Sequence, residues 1–105
     1  EFFHHVQVMS GILTAGYQLS EVMNTKEISR RIELQTMCVA MRALVVGKST
    51  GFTRSDYLIA MDWFNMNQDS GHGTAASNKF WGERGLYAAK VGNCNTWVVG
   101  SGQVA

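Results

Sequence analysis

Residues 24–47 read NTKEISRRIELQTMCVAMRALVVG, and this stretch decides the fold. Apolar side chains recur at Ile28, Ile32, Met37, Met41, Leu44 and Val45, spacings that fit one face of a helix. Asn24-Thr25-Lys26-Glu27 has the form of a capping box, with Asn24 capping and Glu27 reaching back. Gly47 is placed to close the helix as a left-handed C-cap. The pattern predicts a helix over 25–46.

Working outward, Phe2, Val6, Met9, Leu13, Tyr17 and Val22 repeat at helical spacing and predict a helix over 2–21. Gly11 and Gly16 are the residues placed to interrupt it. Thr53 to Asp56 offers a cap for a third helix over 53–65, and Thr74 a cap for a fourth over 74–91. Residues 48–51 and 65–73 read as loops. No segment alternates strictly, and proline is absent, so long helices are easily accommodated. The predicted fold is mainly α, about four helices with little or no sheet, over residues 1–97. Residues 98–105 read as a C-terminal tail. The methionines and most aromatics fall at helical spacing and read as core.

Composition narrows the function. Charged residues are only 16% of the chain, against about 25% in an ordinary domain, which excludes a disordered charged tail. Nine basic and eight acidic residues leave a net charge of +1 with no basic run. A nucleic-acid reader would carry a basic stripe, so none is expected as partner. No run of about 18 apolar residues occurs. The chain opens on Glu1 rather than Met, so any targeting signal is expected upstream. Two cysteines, Cys38 and Cys94, allow one disulfide or two thiols, and spacing alone does not choose.

Three places carry residue types suited to chemistry. Glu1-Phe2-Phe3-His4-His5 has the spacing of the last four letters of His-Glu-x-x-His, in which two histidines one turn apart bind zinc and the Glu acts as base. The first His would stand one residue before Glu1; otherwise this is a solvated helix start. Glu33 lies inside the second helix, where a two-His-one-Glu zinc site draws its third ligand. Alternatively it pairs with Arg30 or Lys26 on the helix surface. His72-Gly73-Thr74 reads as a helix entry, with a turn at Gly73 and an N-cap at Thr74; a subtilase reading of Gly71-His72-Gly73-Thr74 fails on length. Gly47-Lys48-Ser49-Thr50 lacks the earlier Gly and the preceding strand of a phosphate loop.

Taken in order, these blocks resemble the neutral zinc metallopeptidase family. Glu1-Phe2-Phe3-His4-His5-Val6-Gln7 is similar to its His-Glu-x-x-His-His-Val-Gln run with the first His missing. Glu33-Leu34-Gln35-Thr36-Met37-Cys38 resembles its Glu-Leu-Gln-Ala-Asp-Cys block. His72-Gly73-Thr74, with Phe80-Trp81 and Gly85, resembles its His-Gly-Thr block, and Cys94-Asn95-Thr96-Trp97 its Cys-Asp-Thr-Phe. The family is bacterial and usually extracytoplasmic, often behind an N-terminal membrane anchor. The resemblance covers about residues 1–97 and implies the C-terminal helical part of a gluzincin-like endopeptidase, its sheet portion lying upstream.

That resemblance implies a zinc cofactor with His4 as second ligand, Glu33 as third, Glu1 as general base and His72 as a hydrogen-bond donor to the oxyanion. Zinc would polarise the scissile carbonyl and acidify its bound water. It further implies a Cys38–Cys94 disulfide and an extracytoplasmic setting, secreted or anchored through upstream sequence. The implied partners are a peptide or protein substrate, the upstream part of the same protein, and further copies in a homo-oligomer. Three departures stand out: the missing first His, Met37 in place of the Asp, and Ser77 and Asn78 where Gln and Arg are usual. The 105 residues alone are therefore expected to lack peptidase activity. The alternative is a peptidase-derived domain without catalysis that serves structural assembly or protein binding. If the alignment holds, the coordinating atoms of His4 and Glu33 should lie within about 4 Å of each other.

Overall fold

In a computed structural model, residues 1–47, 51–66 and 68–105 are described, the side chains of 63–66 excepted. The elements are α1 (Phe2–Met9), α2 (Ile12–Leu19), α3 (Thr25–Val46), α4 (Arg54–Met66) and α5 (Ala75–Tyr87), then 3-10 turns at Val91–Cys94, Thr96–Val98 and Ser101–Val104. Among the described residues there is no strand, only an isolated bridge between Asp69 and Gly73. The fold is mainly helical, as the periodicity predicts.

The central helix α3 covers the predicted 25–46. Asn24 Oδ1 accepts from the backbone N–H of Lys26 and Glu27 at 2.9 and 3.3 Å. Glu27 does not reach back to complete the box. It forms an ion pair with Arg31 at 2.6 Å and accepts from the Ser101 hydroxyl. Those donors, Arg31 first, hold its carboxyl below the usual range. Gly47 is not left-handed either: with φ −74° it closes the last turn by donating to the Ala43 carbonyl.

The helix expected over 2–21 is two helices. Gly11 adopts φ +79°, a conformation open to glycine at no steric cost, and the axis changes direction between α1 and α2. Thr53 and Asp56 cap α4 reciprocally. The Asp56 carboxylate accepts from the Thr53 backbone and hydroxyl at 2.8 and 2.6 Å, and the Thr53 hydroxyl accepts from the Asp56 N–H. Thr74 caps α5 through the Ser77 N–H. That helix ends at Tyr87, four residues short of the expected 91, because Ala88 turns extended with ψ 135°. The loop expected over 48–51 lies largely outside the described residues.

The core gathers Leu34, Met37 and Met41 from α3, Tyr57 and Met61 from α4, Trp81 from α5, and Val104 from the last 3-10 turn. Two glycines let α5 approach α3 and α4. A Cβ at Gly82 would sit 2.9 Å from Met61 Sδ, and one at Gly85 would overlap the Cys38 carbonyl oxygen. Cys38 and Cys94 form a disulfide with Cα atoms 5.5 Å apart, tying α3 to the 3-10 turn at Val91–Cys94. With a sequence separation of 56, closing that loop stabilises by about 4 kcal/mol on the chain-entropy model.

Residues 98–105 are packed into the fold rather than forming a tail. Val104 is fully buried. Trp81 Nε1 donates to the Gln103 carbonyl at 2.8 Å, Arg30 Nε to the Val104 carbonyl at 2.6 Å, and the Thr74 N–H to the Ala105 carbonyl at 2.8 Å. Among the described residues, no helix is long and apolar enough to cross a membrane.

Candidate metal centre

Helix α1 buries one side chain, and it is polar: Gln7. Its Nε2 donates to the Ile32 carbonyl at 3.1 Å and to Gln35 Oε1 at 2.8 Å. A carbonyl accepts only from the N–H end of an amide, so Gln7 Oε1 points the other way. There it accepts from Thr36 Oγ1 at 2.9 Å and meets His4 Nδ1 at 3.1 Å. Thr36 Oγ1 is also 3.3 Å from that nitrogen. His4 and Gln7 are three apart on one helix and so share a face. The network assigns the Nδ1 proton to the bond with Gln7 and leaves Nε2 facing α3.

What Nε2 faces is Glu33 Oε2, 3.1 Å away. A neutral imidazole with its proton on Nδ1 presents a lone pair to a carboxylate. A metal ion held between the two groups would take that lone pair and a carboxylate oxygen together. Arg30 does not take Glu33 as a helix-surface partner. It turns to the carbonyls of Val104 and Ser70.

His72 approaches the same carboxylate from the loop before α5, with Nε2 3.8 Å from Glu33 Oε2. Its ring is held from behind by Asp69, whose Oδ2 lies 2.8 Å from Nδ1. Asp69 Oδ1 meanwhile accepts from the backbone N–H of Gly71 and His72 at 2.7 and 2.9 Å. Those backbone bonds, and then the His72 ring, hold the Asp69 carboxyl below its usual range. Gly73 completes the loop with φ +90°. Asn78, buried in α5, donates its amide to the carbonyls of His72, Gly73 and Thr74 at 3.2, 3.2 and 2.9 Å. Glu1 is exposed at the start of α1 and lines the cleft that His4, Glu33 and His72 also line.

A nitrogen and an oxygen each about 2.0–2.2 Å from one zinc ion stand roughly 3.0–3.5 Å apart. His4 and Glu33 meet that spacing at 3.1 Å. They are the element types zinc takes, and His4 has its second nitrogen engaged, as metal-bound histidines do. Among the described residues, no group of three or more His, Cys, Asp or Glu side chains is arranged to hold a metal ion. The donor pair fits zinc in kind and spacing but supplies two positions where a catalytic site uses three.

Four residues that matter here carried no role in the sequence reading: Gln7, Thr36, Asp69 and Asn78. Two had a signal, since Gln7 follows His4 by three and Asp69 precedes His72 by three. Met37 packs in the core at 6% exposure. Gln7 and Thr36 hold the His4 ring instead. Comparison with protein families, curated proteins and solved structures finds no match for this chain.

Proposed function

We propose that this chain carries part of the active site of a zinc-dependent endopeptidase of the neutral zinc metallopeptidase type. The observation that supports it most is the 3.1 Å contact between His4 Nε2 and Glu33 Oε2, with Nδ1 already engaged by Gln7. His4 and Glu33 are the ligands in this reading. Zinc, when bound, supplies Lewis acidity toward a peptide carbonyl and its attacking water. Glu1 takes the proton from that water and delivers it to the leaving amine. His72, when protonated, keeps Nδ1–H on Asp69 and offers Nε2–H to the carbonyl oxygen as negative charge develops there. Asn78 and Gly73 hold the loop that aims it.

The disulfide fits an oxidising compartment, and secretion or membrane anchoring belongs to this proposal. The test uses the chain preceded by one His, which completes His-Glu-x-x-His. It should bind one zinc ion, and with the rest of the upstream sequence restored as well it should cleave an unstructured protein substrate. Glu1→Gln should keep the metal and lose cleavage, because the base is removed and the ligands are not. Equal cleavage by both would refute the mechanism.

A second reading, a peptidase-derived domain serving assembly or protein binding, draws on exposed apolar residues of the α1–α2 region: Phe2 at 70%, Met9 at 77% and Val22 at 83%. It predicts concentration-dependent self-association in sedimentation with no zinc bound. A zinc-binding monomer would dismiss it.

A further inference from the structure

The loop that carries His72 is closed on itself. The Asp69 carboxylate accepts from the Gly71 and His72 N–H groups, and the Asp69 carbonyl accepts from the Gly73 N–H at 3.0 Å. Those bonds shape the loop but do not fix where it lies. The His72 side chain does not fix it either, being 54% exposed. The 3.8 Å approach of His72 Nε2 to Glu33 Oε2 therefore depends on what seats the loop against the helices.

From α5 the loop is tied by Asn78, at the carbonyls of residues 72–74. From α3 it is tied by Arg30, which stands three residues before Glu33 and so on the same side of the helix. Arg30 Nε donates to the Val104 carbonyl at 2.6 Å, and a terminal nitrogen donates to the Ser70 carbonyl at 3.0 Å. One planar guanidinium thus joins α3, the His72 loop and the last 3-10 turn. The turn is anchored independently, by the buried Val104 side chain and by the Trp81 indole on the Gln103 carbonyl. It meets the loop again where the Ala105 carbonyl accepts from the Thr74 N–H and hydroxyl. Gly73 makes room there, since a Cβ would sit 3.2 Å from the Ala105 oxygen. The two carbonyls also occupy a cation that the spacing would otherwise let pair with Glu33, and they leave that carboxylate to His4 and His72.

We infer that Arg30 is a positioning residue: by bracing Ser70 against Val104 it seats the His72 loop over Glu33, and residues 98–105 serve the site through it. That His72 must be so placed for cleavage rests on the peptidase reading above; the brace rests on the contacts alone.

The test compares Arg30→Met, which keeps the apolar stem, with Arg30→Lys, which keeps the charge but not the planar fork. In both variants the nuclear Overhauser contacts between the His72 ring and the Glu33 side chain should be lost. Exchange of the Gly73 and Thr74 amides should quicken by roughly tenfold, while the Trp81 indole N–H keeps its protection. Should Arg30→Met fail to fold, Arg30→Lys decides alone. Contacts that persist in Arg30→Lys would overturn the brace, because charge alone would then suffice. With the upstream sequence restored, Arg30→Met should lower kcat by about 10²-fold, the loss that a misplacement of about 1 Å brings, with KM and zinc stoichiometry unchanged. An unchanged kcat would overturn the positioning role. If the unsubstituted protein does not cleave, the peptidase reading falls and the Overhauser contacts still decide the brace.

Discussion

Where α3 meets α5, Gly85 brings the helices so close that the Cys38 carbonyl lies against bare backbone, and a disulfide joins the same residue to Cys94. Where α3 meets α1, the buried contact is the amide of Gln7; where it meets α2, the buried residue is Gly16, whose Cβ would sit 3.4 Å from Ile32 and Trp97. The first junction is apolar and close, and the disulfide ties α3 to the 3-10 turn that follows α5. The second sets the Gln7 amide of α1 and Gly16 of α2 against α3, with Ile28 and Ile32 buried beneath α2. The α3–α5 body carries Glu33 and His72, while His4 comes from α1, whose one buried side chain is Gln7.

The strongest way to break this comparison is to open the body. Replacing both Cys38 and Cys94 by Ser should cost about 4 kcal/mol in urea unfolding, the chain-entropy value for this loop. A loss below about 1 kcal/mol would mean that packing alone closes it. Next comes Gly85→Ala. At an open helical position this change would gain up to about 1 kcal/mol in propensity. Here it should cost about 2–3 kcal/mol, because the helices must part, and a gain would contradict the close approach.

The arm should respond differently. Gln7→Ala leaves the Ile32 carbonyl and the Gln35 and Thr36 side chains short of a partner, a loss of about 1–2 kcal/mol. Hydrogen exchange should accelerate in α1 and α2 while α3 and α5 keep their protection. Uniform acceleration would mean the two regions are one cooperative unit. The smallest effect is acid sensitivity. The Glu27 and Asp69 carboxyls sit below their ordinary values of 4.5 and 3.8. A depressed carboxyl stabilises the folded state above its unfolded pKa, and that stabilisation is lost as pH falls through the folded value. Melting temperature should therefore hold steady on this account from pH 7 to about 5 and decline below about 4.5. Asp69→Asn should shift the His72 imidazole resonances with little change in melting temperature, since both groups are exposed.

Much of the body was legible in the sequence because its signals are local. The apolar stripe from Ile28 to Met41 and the caps at Asn24, Thr53 and Thr74 each depend on neighbours within a turn or two. The split at Gly11 was marked by its glycine, but whether a glycine bends a helix depends on what the two halves pack against. Glu27 had a capping role on paper and took Arg31 instead, because a buried guanidinium with carbonyls of Thr96 and Val99 on its other side needs a carboxylate. The site was legible only as letters. The family resemblance, not spacing, picked out His4, Glu33 and His72, and nothing in it showed that Gln7 fixes one ring and Asp69 the other. The docking of residues 98–105 had no local signature at all; Gln103, Val104 and Ala105 lend backbone carbonyls to distant donors, and backbone carbonyls look the same in every sequence.

The most direct test of the account is a zinc titration of the chain preceded by one His, followed through the imidazole resonances of His4, His5 and His72. The account predicts that His4 shifts saturably and coordinates through Nε2. Glu33→Gln should abolish that response, and Gln7→Ala should weaken it by about 10–100-fold, as loss of a ligand's supporting hydrogen bond does. A zinc response centred on exposed His5, or one that survives Glu33→Gln unchanged, would contradict it.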